Sequence, residues 1–160
     1  MFILGIDPGN VQSAFILFDS EKGIIVDKGI LENNVFLEKL SSLYSQEVKP
    51  DICILEQIKC YGMVMGETTI ETVFWSGRII QHVIACGGTF ERMGRIEIKN
   101  VLCRSSRAKD GQVRQRLIDL YGEPGTKANP GITYKISKDL WSALAVCTAW
   151  NMRRTGDFKY

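Results

Sequence analysis

No apolar run in this 160-residue chain exceeds the length of a strand, and its N-terminus carries no charged leader followed by a cleavage site. Both absences exclude the usual signatures of a membrane span and of secretion, so the expectation is a soluble, intracellular, cytoplasmic protein. The five cysteines (Cys53, Cys60, Cys86, Cys103, Cys147) are odd in number, scattered and free of any CxxC spacing. They read as reduced thiols, mostly buried, and as neither zinc ligands nor a disulfide framework. Histidine occurs once, at His82, inside a helical pattern that gives it a structural role. Repeats, low-complexity tracts and interdomain linkers are also missing, and 45% hydrophobic residues suffice for one domain with its own core.

What is present begins with charge. The net charge of +2 conceals a split: residues 1–91 sum to −6 and residues 92–160 to +8. An acidic site beside a separate basic surface is the footprint of a nucleic-acid binder, although a solvated surface without a partner gives the same count.

Apolar runs at 2–7, 13–18 and 24–30 are separated by Pro8-Gly9-Asn10 and Asp19-Ser20-Glu21-Lys22-Gly23, which predicts an antiparallel meander. Helical spacing follows after Asn33-Asn34, which can cap. Asp51-Ile52-Cys53-Ile54-Leu55-Glu56 then reads as a strand buried on both faces, and the crossover makes it parallel to the first. A loop over 57–67 leads to a second helix whose start resembles a capping box at Thr68-Thr69-Ile70-Glu71. Ile70, Val73, Phe74, Gly77, Ile80 and Ile84 line its expected inner face. Residues 89–95 predict another strand, and 96–103 a short connector of undecided type. Asp110 can cap a third helix ending at Gly122, residues 122–136 form a turn-rich loop, and Ser137 can cap a last helix to about Met152. The expected fold is α/β: a mixed five-stranded sheet, meander plus parallel strands, flanked by helices.

Two predicted strands end in acids, Asp7 and Glu56, and parallel strands one crossover apart bring their carboxyl ends to one edge, where α/β sheets bind ligands. Asp7 before Pro-Gly is also ordinary turn chemistry, so turn opener and ligand both remain open for it alone. Asp139 falls in the first turn of the last helix, where a carboxylate suits the helix dipole on its own account. If that helix crosses the sheet edge, three acids converge. Oxygen donors without His or Cys suit hard cations, Mg²⁺ or Mn²⁺, and two such ions about 3.5 to 4 Å apart can activate water against a phosphodiester.

These residues carry a resemblance. Gly5-Ile6-Asp7-Pro8-Gly9, Ile54-Leu55-Glu56-Gln57 and Ser137-Lys138-Asp139-Leu140-Trp141-Ser142-Ala143-Leu144-Ala145, in order, resemble the RuvC-type Holliday junction resolvases of the ribonuclease H-like superfamily. Arg107-Ala108-Lys109-Asp110-Gly111-Gln112-Val113-Arg114 looks like the segment entering the helix before the last. Tyr61-Gly62-Met63, Thr72-Val73-Phe74-Trp75 and Leu140-Trp141-Ser142 are closest to the divergent phage and prophage branch. The opening piece is shared with sugar-kinase and actin-like ATPases, but those need two such domains.

The resemblance implies a single nuclease domain over 1–160, acting on branched DNA as a homodimer that makes two symmetric nicks. It implies Asp7, Glu56 and Asp139 as the metal-binding acids, with Mg²⁺ or Mn²⁺ and two ions per site. It also assigns the loop after Glu56 to the junction centre, where Tyr61 can stack on a base, and the second helix, with Phe74, Trp75 and Ile79, to dimerisation. One departure stands out: the family's second aspartate on the last helix, three residues after the first, is Ser142 here. From the residues themselves, Arg104, Arg107 and Lys109 ahead of a helix start are the best phosphate contacts, with Lys138 beside Asp139 a further candidate. A solvated helix face accounts for Arg114 and Arg116. Two rival readings are a related nuclease acting on RNA–DNA hybrids or other branched intermediates, and a catalytically inactive module that binds DNA structure.

Overall fold

The turn signals at the N-terminus produce three antiparallel strands. In the computed structural model, which describes all residues except 61, 63 and 158–160, these are β1 (Phe2–Asp7), β2 (Gln12–Asp19) and β3 (Ile24–Glu32). Asp19 builds the second turn by accepting the N–H groups of Glu21 and Lys22, and Gly23 supplies the positive φ of 66° that ends it. Helix α1 (Asn33–Ser45) then crosses to β4 (Ile52–Gln57), which lies parallel to β1 as the crossover predicts. Helix α2 (Glu67–Ala85) leads to β5 (Phe90–Gly94), parallel to β4. The sheet order is β3-β2-β1-β4-β5, the expected mixed five-stranded sheet. The undecided stretch after β5 is a helix, α3 (Arg95–Cys103), followed by α4 (Asp110–Tyr121) and α5 (Leu140–Thr155).

Period-two alternation sends neighbouring side chains of each strand to opposite faces, and helices cover both. Ile3, Ile16 and Ile54 pack with α3, α4 and α5, while Leu4, Leu17 and Leu55 pack with α1 and α2. Each such fully buried side chain contributes about 1.5 to 3 kcal/mol. Ala143 to Trp150 of α5 are all buried, so this helix is core on nearly every side. Gly5 sets its approach: a Cβ there would collide with Cys147 Sγ and the Ala143 carbonyl. The absence of a side chain in the middle of β1 therefore lets the start of α5 reach the edge where β1 ends.

Four expected caps form differently. Glu32, not Asn33 or Asn34, caps α1 by accepting the N–H groups of Asn34 and Val35. Asn33 is buried, accepting from Ser13 Oγ at 2.7 Å and donating to the Gly9 carbonyl at 3.0 Å, so its amide is already spent. Helix α2 starts one residue before the proposed capping box, after Gly66 and with no side-chain cap. At α4, Gln112 Oε1 accepts the Lys109 N–H while Asp110 turns away; Ser137 lies in a turn ahead of α5, and Asp139 takes the N-cap position without a side-chain cap bond.

The inner face of α2 is also displaced. Ile79 and Val83 are its buried residues, whereas Ile70, Val73, Phe74 and Ile84 are exposed. Thr72 and Ser76 fill out the half-buried side because their hydroxyls donate to carbonyls four residues back, at 2.8 and 2.7 Å, and need no outside partner. Ile79 is core and not surface, and the outward stripe is more apolar than the sequence pattern implied.

Candidate active site

Parallel pairing of β1 and β4 aligns Ile6 with Leu55, so Asp7 and Glu56 end neighbouring strands side by side. Packing of α5 over Gly5 brings Asp139, at the helix start, near enough for its charge to act on Asp7. The electrostatics of Asp7 record this convergence. Its pKa is pushed up to about 7, foremost by burial and then by the negative charges of Glu56 and Asp139, against the opposing pull of Arg95 and a hydrogen bond with Ser142. Burial likewise raises Glu56, with Arg95 pulling it back.

Arg95 belongs to the net-positive half of the chain, yet it turns inward to carboxylates from the first turn of α3. Its Nη1 lies 3.3 Å from Glu56 Oε2 and 3.5 Å from Ser142 Oγ, and its Nη2 lies 2.5 Å from Asp110 Oδ1. That hydrogen bond is the first cause holding Asp110 below its ordinary carboxylate value, and Lys99 Nζ stands 3.8 Å from the same oxygen. A sequence signal for Arg95 existed. β5 is a third parallel strand, its Gly94 aligned with Gln57 of β4, so the next residue must emerge at the same edge as Asp7 and Glu56.

Arg95 separates two clefts. One, of about 240 Å³, is lined by Asp7, Glu56 and Lys59 together with Arg95. The other, of about 440 Å³, is lined by Asp110, Arg114, Lys138, Asp139 and Ser142 together with Arg95. Lys138, exposed and held at a φ of 48°, thus stands beside Asp139 in an open cleft. Arg104, Arg107 and Lys109 are exposed on the α3–α4 connector that leads into Asp110. Arg114 departs from its expected place on a solvated face: it lines the larger cleft with its guanidinium 5.0 Å from the centre of the Trp141 ring. The expected contact Tyr61 lies outside the described residues.

Among the described residues, no three acidic, histidine or cysteine side chains are gathered closely enough to enclose a metal ion. The chemistry of the donors nevertheless fits a hard divalent cation. The Asp7 carboxylate meets the Ser142 hydroxyl here, and that carboxyl, perturbed foremost by burial and then by the charges of Glu56 and Asp139, is relieved in part by Arg95. His82 is elsewhere, its Nε2 2.8 Å from Ser41 Oγ on α1.

Comparison with solved structures identifies the architecture. The structure of Thermus thermophilus RuvC superposes with a TM-score of 0.70 at 15% identity, covering 98% of this chain and 97% of that one. The chain has the RuvC fold. T. thermophilus RuvC in complex with a Holliday junction substrate matches at a TM-score of 0.74, 16% identity and coverages of 98% and 96%. The yeast mitochondrial Holliday junction resolvase matches at 0.61 and 15%, covering 98% of this chain and 79% of that one. No protein-family model matches the sequence, and no curated protein sequence matches it significantly. The RuvC likeness is thus one of architecture, and in this chain the strand order brings Asp7, Glu56 and Arg95 to one edge.

Proposed function

We propose that residues 1–160 form a single ribonuclease H-like nuclease domain, a metal-dependent endonuclease that resolves four-way or otherwise branched DNA by phosphodiester hydrolysis. The observation that carries this reading is the convergence of Asp7, Glu56 and Asp139 at the carboxyl edge of β1 and β4, on a fold shared with RuvC. The three acids would hold Mg²⁺ or Mn²⁺, which when bound supplies Lewis-acid stabilisation of the charge that develops as water attacks the phosphorus. Lys138, Arg104, Arg107 and Lys109 would bind phosphates on either side of the scissile one, with Tyr61 stacking near the junction centre.

The exposed apolar stripe of α2 supports a homodimer. Val73 and Phe74 lie outward, and Arg78 stacks 4.1 Å from the Trp75 ring centre beside them, which leaves a continuous amphipathic face for a second copy. Two such sites related by a two-fold axis suit two symmetric nicks. No helix among the described residues is long and apolar enough to cross a membrane, and the activity proposed places the protein with DNA in the cytoplasm of a bacterium or phage-infected host.

Incubation of a synthetic four-way junction with the protein and Mg²⁺ or Mn²⁺, beside linear duplex and RNA–DNA hybrid, tests the proposal. Paired nicks in opposite arms of the junction are expected. Binding without cutting under both metals would overturn the nuclease reading in favour of an inactive binding module, and preferential cutting of the hybrid would overturn the junction reading.

A further inference from the structure

A cation is already built into the acidic edge. The Arg95 guanidinium bridges Glu56 of β4, Ser142 of α5 and Asp110 of α4, at 3.3, 3.5 and 2.5 Å. Asp110 fixes the far side of the group, so Nη1 is directed at Glu56 and Ser142. Ser142 is also the position, three residues after Asp139, where the sequence resemblance leads one to expect a second aspartate and with it a second ion. The positive group that faces that position is Arg95.

The geometry points to Arg95 as a resident counter-cation that takes the place of one of two divalent ions, so that each site holds a single metal ion. This inference rests on the metal-dependent reading above and departs from the two-ion expectation. Ligand supply supports it. Ser142 offers a neutral hydroxyl where a carboxylate would be needed, and an ion placed between it and Glu56 would meet a guanidinium at contact distance. Asp7 and Asp139 are the carboxylates with which Arg95 forms no ion pair among the described residues, and they remain open to a metal.

Titration of the full chain with Mn²⁺, following the free ion by electron paramagnetic resonance without DNA, tests the assignment. Wild type is expected to bind one Mn²⁺ per chain. Arg95→Met removes the charge while keeping a long side chain, and is expected to bind two, the first about tenfold or more tighter than wild type. Arg95→Lys keeps a positive charge and is expected to keep one. Thermal unfolding in chelator establishes which variants fold, and Arg95→Gln replaces Arg95→Met if the latter does not. Two ions per wild-type chain would overturn the proposal, as would a charge-neutral variant with wild-type count and affinity. If neither protein binds Mn²⁺, the metal reading and this inference fail together. A wild type that binds one Mn²⁺ but cuts no junction keeps the resident cation and loses the nuclease. One that cuts junctions with two ions per chain does the reverse.

Discussion

Asp7 shows a conflict between folding and site chemistry at the level of one carboxyl group. In the folded, metal-free protein it holds its proton up to about pH 7, while the unfolded chain releases it near 3.8. Between those values the folded state binds more protons, so this residue contributes stability at low pH that is lost as pH rises through 7. Asp7→Asn removes the ionisation and keeps an oxygen for the hydrogen bond with Ser142. Relative to wild type, the variant should gain roughly 2 to 3 kcal/mol more stability at pH 8 than at pH 5. Urea unfolding in the presence of chelator measures that difference, and an equal effect at both pH values would mean the carboxylate is not strained. The same substitution should abolish junction cutting while leaving binding intact. Stability gained with activity lost is the signature of a carboxylate retained for a cation and not for the fold.

The helix over β1 is the element that assembles the site, and its closeness depends on Gly5. Gly5→Ala would drive a methyl into Cys147 Sγ and the Ala143 carbonyl, and because backbone cannot yield as a flexible side-chain tip can, α5 must shift. The expected cost is about 1 to 3 kcal/mol, seen as a lower denaturation midpoint, with activity reduced further because Asp139 and Ser142 move with the helix. A variant as stable as wild type would show that α5 is not seated on that glycine. Elements of this kind were legible in the sequence: the strands announced themselves by turns and apolar runs, and Asp7 and Glu56 by ending such runs. Caps were less legible, since an asparagine or serine near a helix start has competing partners. Asn33 spends its amide on Ser13 and Gly9, a long-range choice that local pattern does not contain. The face of α2 was misjudged for a related reason, because hydroxyls satisfied within the helix can replace apolar side chains on its inner side. Arg95 was missed because a charge count records sign and not direction.

Across the whole molecule, the −6 and +8 halves of the chain do not form two separate surfaces in a simple way. The basic half sends Arg95 and Lys99 into ion pairs at the acidic edge, while Lys138 and Arg114 line the larger cleft and Arg104, Arg107 and Lys109 stand exposed on the connector above Asp110. The excess positive charge on the surface is therefore smaller than the count suggests and lies near the acidic edge. Joint replacement of Arg104, Arg107 and Lys109 by alanine should lower the slope of log affinity against log salt by about 2 to 3, since each phosphate contact contributes roughly 0.9. Junction binding measured with Ca²⁺ in place of Mg²⁺, over a series of salt concentrations, gives that slope without relying on turnover. Affinity should fall to a similar degree on junctions of different sequence, because phosphate contacts carry no base information. An unchanged slope would place the DNA path elsewhere. A loss confined to one junction sequence would mean that the connector reads bases and not the backbone.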